Sequence, residues 1–289
     1  MQLFVDRIAR KEGSAERRAV FLHGILGSGQ NLRTVARRFT ELCPGWDAAV
    51  VDLRGHGRSV PVGEGPATIE TVASDVIESL GREPVPVAAV IGHSFGGKVA
   101  LEAARRWGPG GTARSDGSVL PLEHVVVMDS LPGARPTRHG SESIAQVLET
   151  LDALARPFPD RNAFVAAVEA RGHGKPIAQW LGTSLKRQED GTFVFGIDLA
   201  FVREVLGDYF ELDYWPLLEA APEAGGLSGV HLVIGARSTV FLPPDRDRAS
   251  ALEARGRLTV DVLDAGHWLH AEDPESVIAV LGRRIGGAA

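Results

Sequence analysis

The sequence predicts an α/β fold, a mostly parallel central sheet flanked by helices, with a helical segment inserted late in the order. Three observations carry this. Short apolar runs alternate with amphipathic stretches along most of the chain, as parallel strands joined by crossover helices require. An apolar run at Val87–Ile91 passes through the turn Gly92-His93-Ser94-Phe95-Gly96 into a helical pattern at Lys98–Trp107. Between Pro132 and about Gly226 the alternation stops and helical periodicity takes over.

In chain order, Leu3–Ala9 alternates weakly and predicts an edge strand, turning through Glu12-Gly13-Ser14. Ala19–Leu22 is a buried strand running into His23-Gly24-Ile25-Leu26-Gly27-Ser28-Gly29, and Gln30–Leu42 is an amphipathic helix stopped by Pro44-Gly45. Ala48–Leu53 is a strand, Thr68–Leu80 a helix and Gly108–Ser118 a polar loop without periodicity. His124–Asp129 is a strand ending in a carboxylate. Helical spacing then recurs at Ile144–Leu154, Arg161–Ala170, Ile177–Leu185 and Leu199–Leu206, with a turn at Asp190-Gly191. Strands at Val230–Gly235 and Leu258–Leu263, with helices at Asp247–Ala254 and Pro274–Ile285, complete the pattern. The expected division is a main body over 1–133 and 222–289 and a helical cap over 134–221.

The turn at Ser94 is G-x-S-x-G between a buried strand and a helix, the setting of a nucleophile elbow. Such a turn strains the serine backbone, and small residues at 92 and 96 let neighbouring main chain come close. It presents a hydroxyl at the end of the sheet and leaves the N–H of Phe95 free to face a developing oxyanion. The glycines of residues 24–29 fit neither a dinucleotide fingerprint nor a Lys-containing phosphate loop. They suit a tight loop whose Ile25 N–H is a second oxyanion donor. In a parallel sheet the ligand site lies at the carboxyl ends of the strands, which here are His23, Arg54, Ser94, Asp129, Gly235 and His267.

Bulk numbers exclude other classes. A chain of 289 residues with 44% hydrophobic content can bury a large core, and a net charge of -6 argues against a general nucleic-acid binder. The single cysteine, Cys43, rules out an internal disulfide framework and reads as packing. No apolar run is long enough to span a membrane, and the opening residues carry Asp6 and Arg7 before a signal core could form. A cytoplasmic protein is the default expectation. No helical spacing of ligands suggests a metal, and His23, His56 and His93 read as hydrogen-bonded structural residues.

Taken together, His23-Gly24, Asp52-Leu-Arg-Gly-His-Gly-Arg-Ser59, Gly92-His-Ser-Phe-Gly-Gly97 and Gly266-His267 stand in the order in which the α/β-hydrolase superfamily carries them, and the chain resembles that superfamily over nearly its whole length. His23-Gly-Ile-Leu-Gly-Ser28, Lys98 after the elbow and Gly266-His-Trp-Leu-His-Ala-Glu-Asp273 are most similar to the YbfF-type esterases and the α/β-hydrolase-domain-11 proteins. The resemblance implies cofactor-free hydrolysis of an ester or thioester, with Ser94 as nucleophile and His267 as base. Most members place the triad acid after the seventh strand of the fold. Here that loop reads Gly235-Ala-Arg-Ser-Thr-Val-Phe241 and has no carboxylate before Asp245. The YbfF type implies Asp129 instead, with Asp245 the alternative; His270 is a second, weaker candidate base.

Trp180, Phe195, Tyr209 and Trp268 are expected to line the substrate pocket, with other cap aromatics forming the cap's own core. Arg135, Arg138, His139, Lys186 and Arg187 could instead greet an anionic leaving group such as coenzyme A. Lys98 is expected to pair with a carboxylate, since a cation in a helix's first turn opposes the dipole. The expected partner is a small-molecule acyl ester or thioester. C–C bond hydrolysis or perhydrolysis on the same three residues, and a small-molecule receptor with little turnover, are the competing readings.

Overall fold

The computed structural model describes the chain except for residues 10–13, 82–83, 108–111, 114–118, 121, 136–141, 155–156, 221–226, 228 and 288–289. Its centre is a seven-stranded sheet of β1 (Phe4–Ile8), β2 (Arg17–Leu22), β3 (Trp46–Asp52), β4 (Val87–His93), β7 (His124–Met128), β10 (Val230–Gly235) and β11 (Thr259–Leu263), in the order β1-β3-β2-β4-β7-β10-β11. Only β1 runs antiparallel, pairing with β3 at the edge; the other pairings are parallel. The stretches Ala19–Leu22 of β2, Ala48–Val51 of β3 and Val87–Ile91 of β4 are continuous apolar runs because both faces of the sheet are covered.

One face packs against α2 (Ile69–Leu80), α3 (Phe95–Trp107) and α9 (Pro243–Ala254). The other packs against α1 (Arg33–Leu42) and α11 (Pro274–Arg284), with Phe21, Phe39 and Trp46 in edge-to-face contact between them. Cys43 is buried in this second layer, and burial pushes its thiol up to about 11, so it packs as a small apolar residue. Thr68 caps α2 through its hydroxyl, which accepts the Thr71 N–H at 3.1 Å.

The chain leaves β2 for β3 on one side and returns through β4 on the other. The loops after β2 and β4 therefore diverge at a topological switch point, where open parallel sheets hold their ligands.

Between β7 and β10 lie α4 (Glu142–Ala153), α5 (Arg161–Glu169), α6 (Lys175–Gly182), the hairpin β8 (Leu185–Arg187) and β9 (Phe193–Phe195), α7 (Leu199–Glu211) and α8 (Trp215–Glu219). They enclose an apolar cluster of their own, including Leu151, Phe164, Leu181 and Val202.

Three differences from the sequence expectation have local causes. The Gly108–Ser118 stretch is not wholly irregular, since β5 (Thr112–Ala113) pairs with β6 (Val119–Leu120); the rest of it lies outside the described residues. Both β8 and β9 are only three residues long, too short to show a period of two, so the Asp190-Gly191 turn was their sole sign. The five-residue α8 is likewise too short for its periodicity to register. The expected turn at Glu12-Gly13 lies outside the described residues.

Candidate active site

Ser94 stands between β4 and α3 with φ +52°, in the left-handed region that a non-glycine residue enters at a cost of roughly 1–3 kcal/mol. Packing on both sides enforces it. A Cβ at Gly92 would lie 2.0 Å from the Gly96 carbonyl oxygen, and one at Gly96 would lie 2.4 Å from that of Leu22. The Ser94 N–H donates to the Met128 carbonyl at 3.0 Å, tying the turn to the neighbouring strand. α3 begins at Phe95, so the Phe95 N–H is one of the four at that end without an intrahelical acceptor.

Asp129 follows β7 with φ +44° and is fully buried. Its carboxylate accepts the Gly235 N–H at 3.1 Å, the Ser238 hydroxyl, and His267 Nδ1–H at 2.7 Å. His267 lies in the loop after β11. The Ser94 hydroxyl donates to its Nε2 at 3.1 Å, completing a chain from serine to imidazole to buried carboxylate. The His93 ring, 4.8 Å from that of His267, donates its Nε2–H to the His267 carbonyl at 2.8 Å and so fixes the loop. Asp245 is elsewhere. It sits in the first turn of α9, and its carboxylate accepts the Leu242 N–H at 3.0 Å as a helix cap.

The loop after β2 is held by histidines that stay neutral. His23 accepts the Leu53 N–H at Nε2 (3.0 Å) and lies 2.8 Å from the Gly24 carbonyl through Nδ1. His56 accepts the Leu26 N–H at Nε2 (3.2 Å) and donates from Nδ1 to the Arg54 carbonyl at 2.9 Å. Burial pushes these two rings down to about 4 and about 3. It also lowers His93 well below its ordinary value, and lowers His270 to about 4. Among the described residues no acceptor takes up the N–H of Ile25 or of Phe95, and both residues line the same cavity as Ser94.

That cavity has a volume of about 550 Å³ and lies between the sheet's rim and the insertion. Ile144, Ile177, Trp180, Tyr209, Phe210 and Trp268 give it mainly apolar walls. Trp180 and Trp268 face one another with ring centroids 5.6 Å apart. Phe195 is not among the lining residues. It is buried inside the insertion's cluster, stacked on Phe164 at 5.8 Å, because β9 turns that side chain away from the rim.

Lys98 also departs from expectation. Among the described residues its ammonium pairs with no carboxylate, and it instead donates to the carbonyls of Gly133 (2.9 Å), Tyr209 (2.6 Å) and Leu212 (2.7 Å). Burial pushes it down to about 7, with Asp213 pulling the other way. Of the cap cations expected to meet an anionic group, Arg135 lines the cavity while donating to the Val240 carbonyl. Lys186 and Arg187 lie on β8 and do not line it; Arg138 and His139 are outside the described residues.

The sequence profile of the alpha/beta hydrolase family matches residues 19–280. The chain belongs to that family. This alpha/beta hydrolase is 26% identical over 268 residues to the sn-1-specific diacylglycerol lipase ABHD11 of Danio rerio, covering 91% of this chain and 76% of that one. It is 26% identical over 266 residues to esterase YbfF of Escherichia coli, covering 91% of both. It is thus an alpha/beta hydrolase of the ABHD11/YbfF type. Among solved structures, a marine microorganism esterase superposes with a TM-score of 0.73 at 20% identity, over 98% of this chain and 99% of that one.

Ser238 is a polar residue of the hydrolase's site that sequence reasoning missed. It occupies the loop where most of the superfamily carries the acid, and there it donates to Asp129 instead. The absence of a carboxylate from that loop was the available signal. Among the described residues no cluster of three or more His, Cys, Asp or Glu is placed to hold a metal, and no helix is long and apolar enough to cross a membrane.

Proposed function

We propose that this hydrolase is a serine carboxylesterase or acyl thioesterase of small to medium acyl substrates, working through an acyl-enzyme, with Ser94, His267 and Asp129 as its triad. One observation carries the reading: the unbroken hydrogen-bonded chain from Ser94 Oγ through His267 to the buried Asp129 carboxylate, at 3.1 and 2.7 Å. The esterases and lipases among its relatives support ester hydrolysis in general.

Ser94 attacks the acyl carbonyl carbon as His267 Nε2 takes its proton, and the carbonyl oxygen becomes an oxyanion facing the Ile25 and Phe95 N–H groups. Asp129 holds Nδ1–H and stabilises the imidazolium; the Gly235 N–H and Ser238 hydroxyl keep that carboxylate oriented. Collapse of the intermediate breaks the bond to the alcohol, which leaves with the proton from Nε2. Water, deprotonated by the same nitrogen, then attacks the acyl-enzyme, and Ser94 recovers its proton as the acid departs.

Residues 134–221 act in this reading as a cap whose apolar walls hold the acyl chain. A cavity of about 550 Å³ suits a small-molecule substrate. Ester and acyl thioester both fit this chemistry: Arg135 lines the cavity, while Lys186 and Arg187 lie away from it.

The test pairs a fluorophosphonate probe with a panel of p-nitrophenyl esters and acyl-coenzyme A thioesters. Label at Ser94 alone, with turnover of at least one of the two substrate classes, is expected, and the better class identifies the leaving group. Label at another residue would refute the elbow assignment; a labelled Ser94 with a dead panel would move the reading to C–C bond hydrolysis or to a small-molecule receptor.

A further inference from the structure

Leu26 follows the residue whose N–H was assigned above to the oxyanion, and it is gripped from two sides. The main body holds its N–H, which donates to the neutral His56 ring at 3.2 Å. The insertion holds its carbonyl, which accepts the Ser184 hydroxyl at 2.9 Å in a buried contact. Ser184 is itself fixed between α6 and β8: its N–H donates to the Leu181 carbonyl at 3.0 Å, and its carbonyl accepts the Gly196 N–H at 2.9 Å.

The Leu26 side chain is fully buried, and it joins the apolar cluster of the insertion rather than either layer of the main sheet. Between these anchors its backbone sits at φ +60°. For a leucine this conformation is costly and persists only where its surroundings over-determine it. The Gly27 N–H also donates to the Gly24 carbonyl at 3.1 Å across the turn, so two of the four constraints come from the insertion. A shift of the insertion would remove the hydroxyl and the apolar socket together, and the loop would relax toward ordinary backbone. Ile25 is one peptide away, so its N–H would turn with it.

We propose that Leu26 and Ser184 are positioning residues that couple the seating of the 134–221 insertion to formation of the oxyanion hole. This rests on the esterase reading above. With the insertion seated, Leu26 is left-handed and the Ile25 N–H faces the serine. With it displaced, that donor is lost while Ser94, His267 and Asp129 keep their places on the sheet. Acyl chains that fill the cavity and hold the insertion down therefore raise kcat, beyond lowering KM.

The experiment compares wild type with Ser184→Ala and Leu26→Ala on p-nitrophenyl butyrate, and adds a trifluoromethyl ketone, which forms an oxyanion on the serine. Full loss of one oxyanion donor costs about 10²–10³ in kcat, so partial displacement should lower kcat by about tenfold or more with KM changed by less than about twofold. Ketone affinity should fall by the same factor as kcat/KM. Leu26→Ala keeps the main-chain bonds and removes the apolar anchor, so it carries the prediction should Ser184→Ala fail to fold. Both variants retaining kcat, or losing activity through KM alone, would overturn the coupling while leaving the esterase reading intact. A wild-type chain that fluorophosphonate leaves unlabelled at Ser94 would instead remove that reading, and the coupling with it.

Discussion

The rim of the sheet and the insertion above it are held by different means. At the rim, main chain meets main chain. Ser94 and Asp129 both adopt left-handed backbone, glycines 92 and 96 abut carbonyl oxygens, and strand neighbours take up the freed N–H groups. The insertion coheres around its own apolar cluster over α4–α6 and the inner face of α7, and joins the main body through Phe201, Val205, Trp215 and Leu218 in the core layer of α2 and α3 and through polar bonds. These include the Lys98 ammonium on three carbonyls, Ser184 on Leu26, and the Asp208 carboxylate accepting the Ile69 N–H at 2.7 Å. Groups placed by main chain cannot slip without breaking the fold; the part of the insertion outside the α7 and α8 core contacts is held mainly by side chains. In the proposed reading, chemistry belongs with the first and selectivity with the second.

The largest expected effect tests the rim. Asp129→Asn should leave the fold in place and lower kcat by about 10⁴, because an asparagine donor favours the wrong imidazole tautomer. A loss below about tenfold would show that the buried carboxylate is not part of the chemistry. Next in size is a contrast within the insertion. Phe195→Ala should cost about 3–5 kcal/mol in thermal or denaturant unfolding, the range for an emptied aromatic core site, and leave chain-length preference unchanged. Trp180→Ala opens the cavity wall instead, and should shift acyl-length preference with little loss of stability. If the two variants exchanged outcomes, the division between the insertion's core and its cavity wall would be wrong.

The same contrast decides how much was legible in the sequence. Buried strands and the elbow were readable because apolar runs and glycines answer to main-chain geometry, which a motif records directly. The side chains of the insertion answer to tertiary contacts. Phe195 and Trp180 are both aromatic residues in short elements, and nothing local says that one faces Phe164 and the other Trp268. Lys98 was misjudged for the same reason. Its three carbonyl acceptors come from residues 35, 111 and 114 positions away.

Acid should act on the main body before the insertion. His23, His56, His231 and His270 are pushed down to about 4, 3, 4 and 4, chiefly by burial, and all four lie in the main body. Between pH 6.5 and those values the unfolded chain binds more protons than the folded one, so stability is full above about 6.5 and falls as pH drops toward 4. Carboxylates with lowered values, such as Asp261 and Glu272, add their loss only below about 4.5. His231 packs away from the rim, with Nε2 facing His124 Nδ1 at 3.2 Å and Nδ1 facing the Thr259 hydroxyl at 2.8 Å. His231→Gln should flatten the fall of melting temperature between pH 6.5 and 4.5 and leave kcat unchanged. An unaltered slope would remove this histidine from the acid sensitivity.

The smallest effect separates the two acids that sequence order alone left in competition. Both follow strands on the same side of the sheet, and distance along the chain could not rank them. What ranks them is the company each keeps. Asp129 is fully buried and spends its oxygens on an imidazole, a hydroxyl and a main-chain N–H. Asp245 is half-exposed and spends one oxygen on the Leu242 N–H at the start of α9. Losing that cap should cost about 1 kcal/mol, the usual value of a helix N-terminal side-chain bond. Asp245→Ala is therefore expected to lower the melting temperature by a few degrees and leave kcat/KM within about twofold of wild type. A drop in kcat of several orders of magnitude would reverse the ranking. It would require the α9 N-terminus to carry its carboxylate to the His267 ring, displacing the Asp129 oxygen now 2.7 Å from Nδ1.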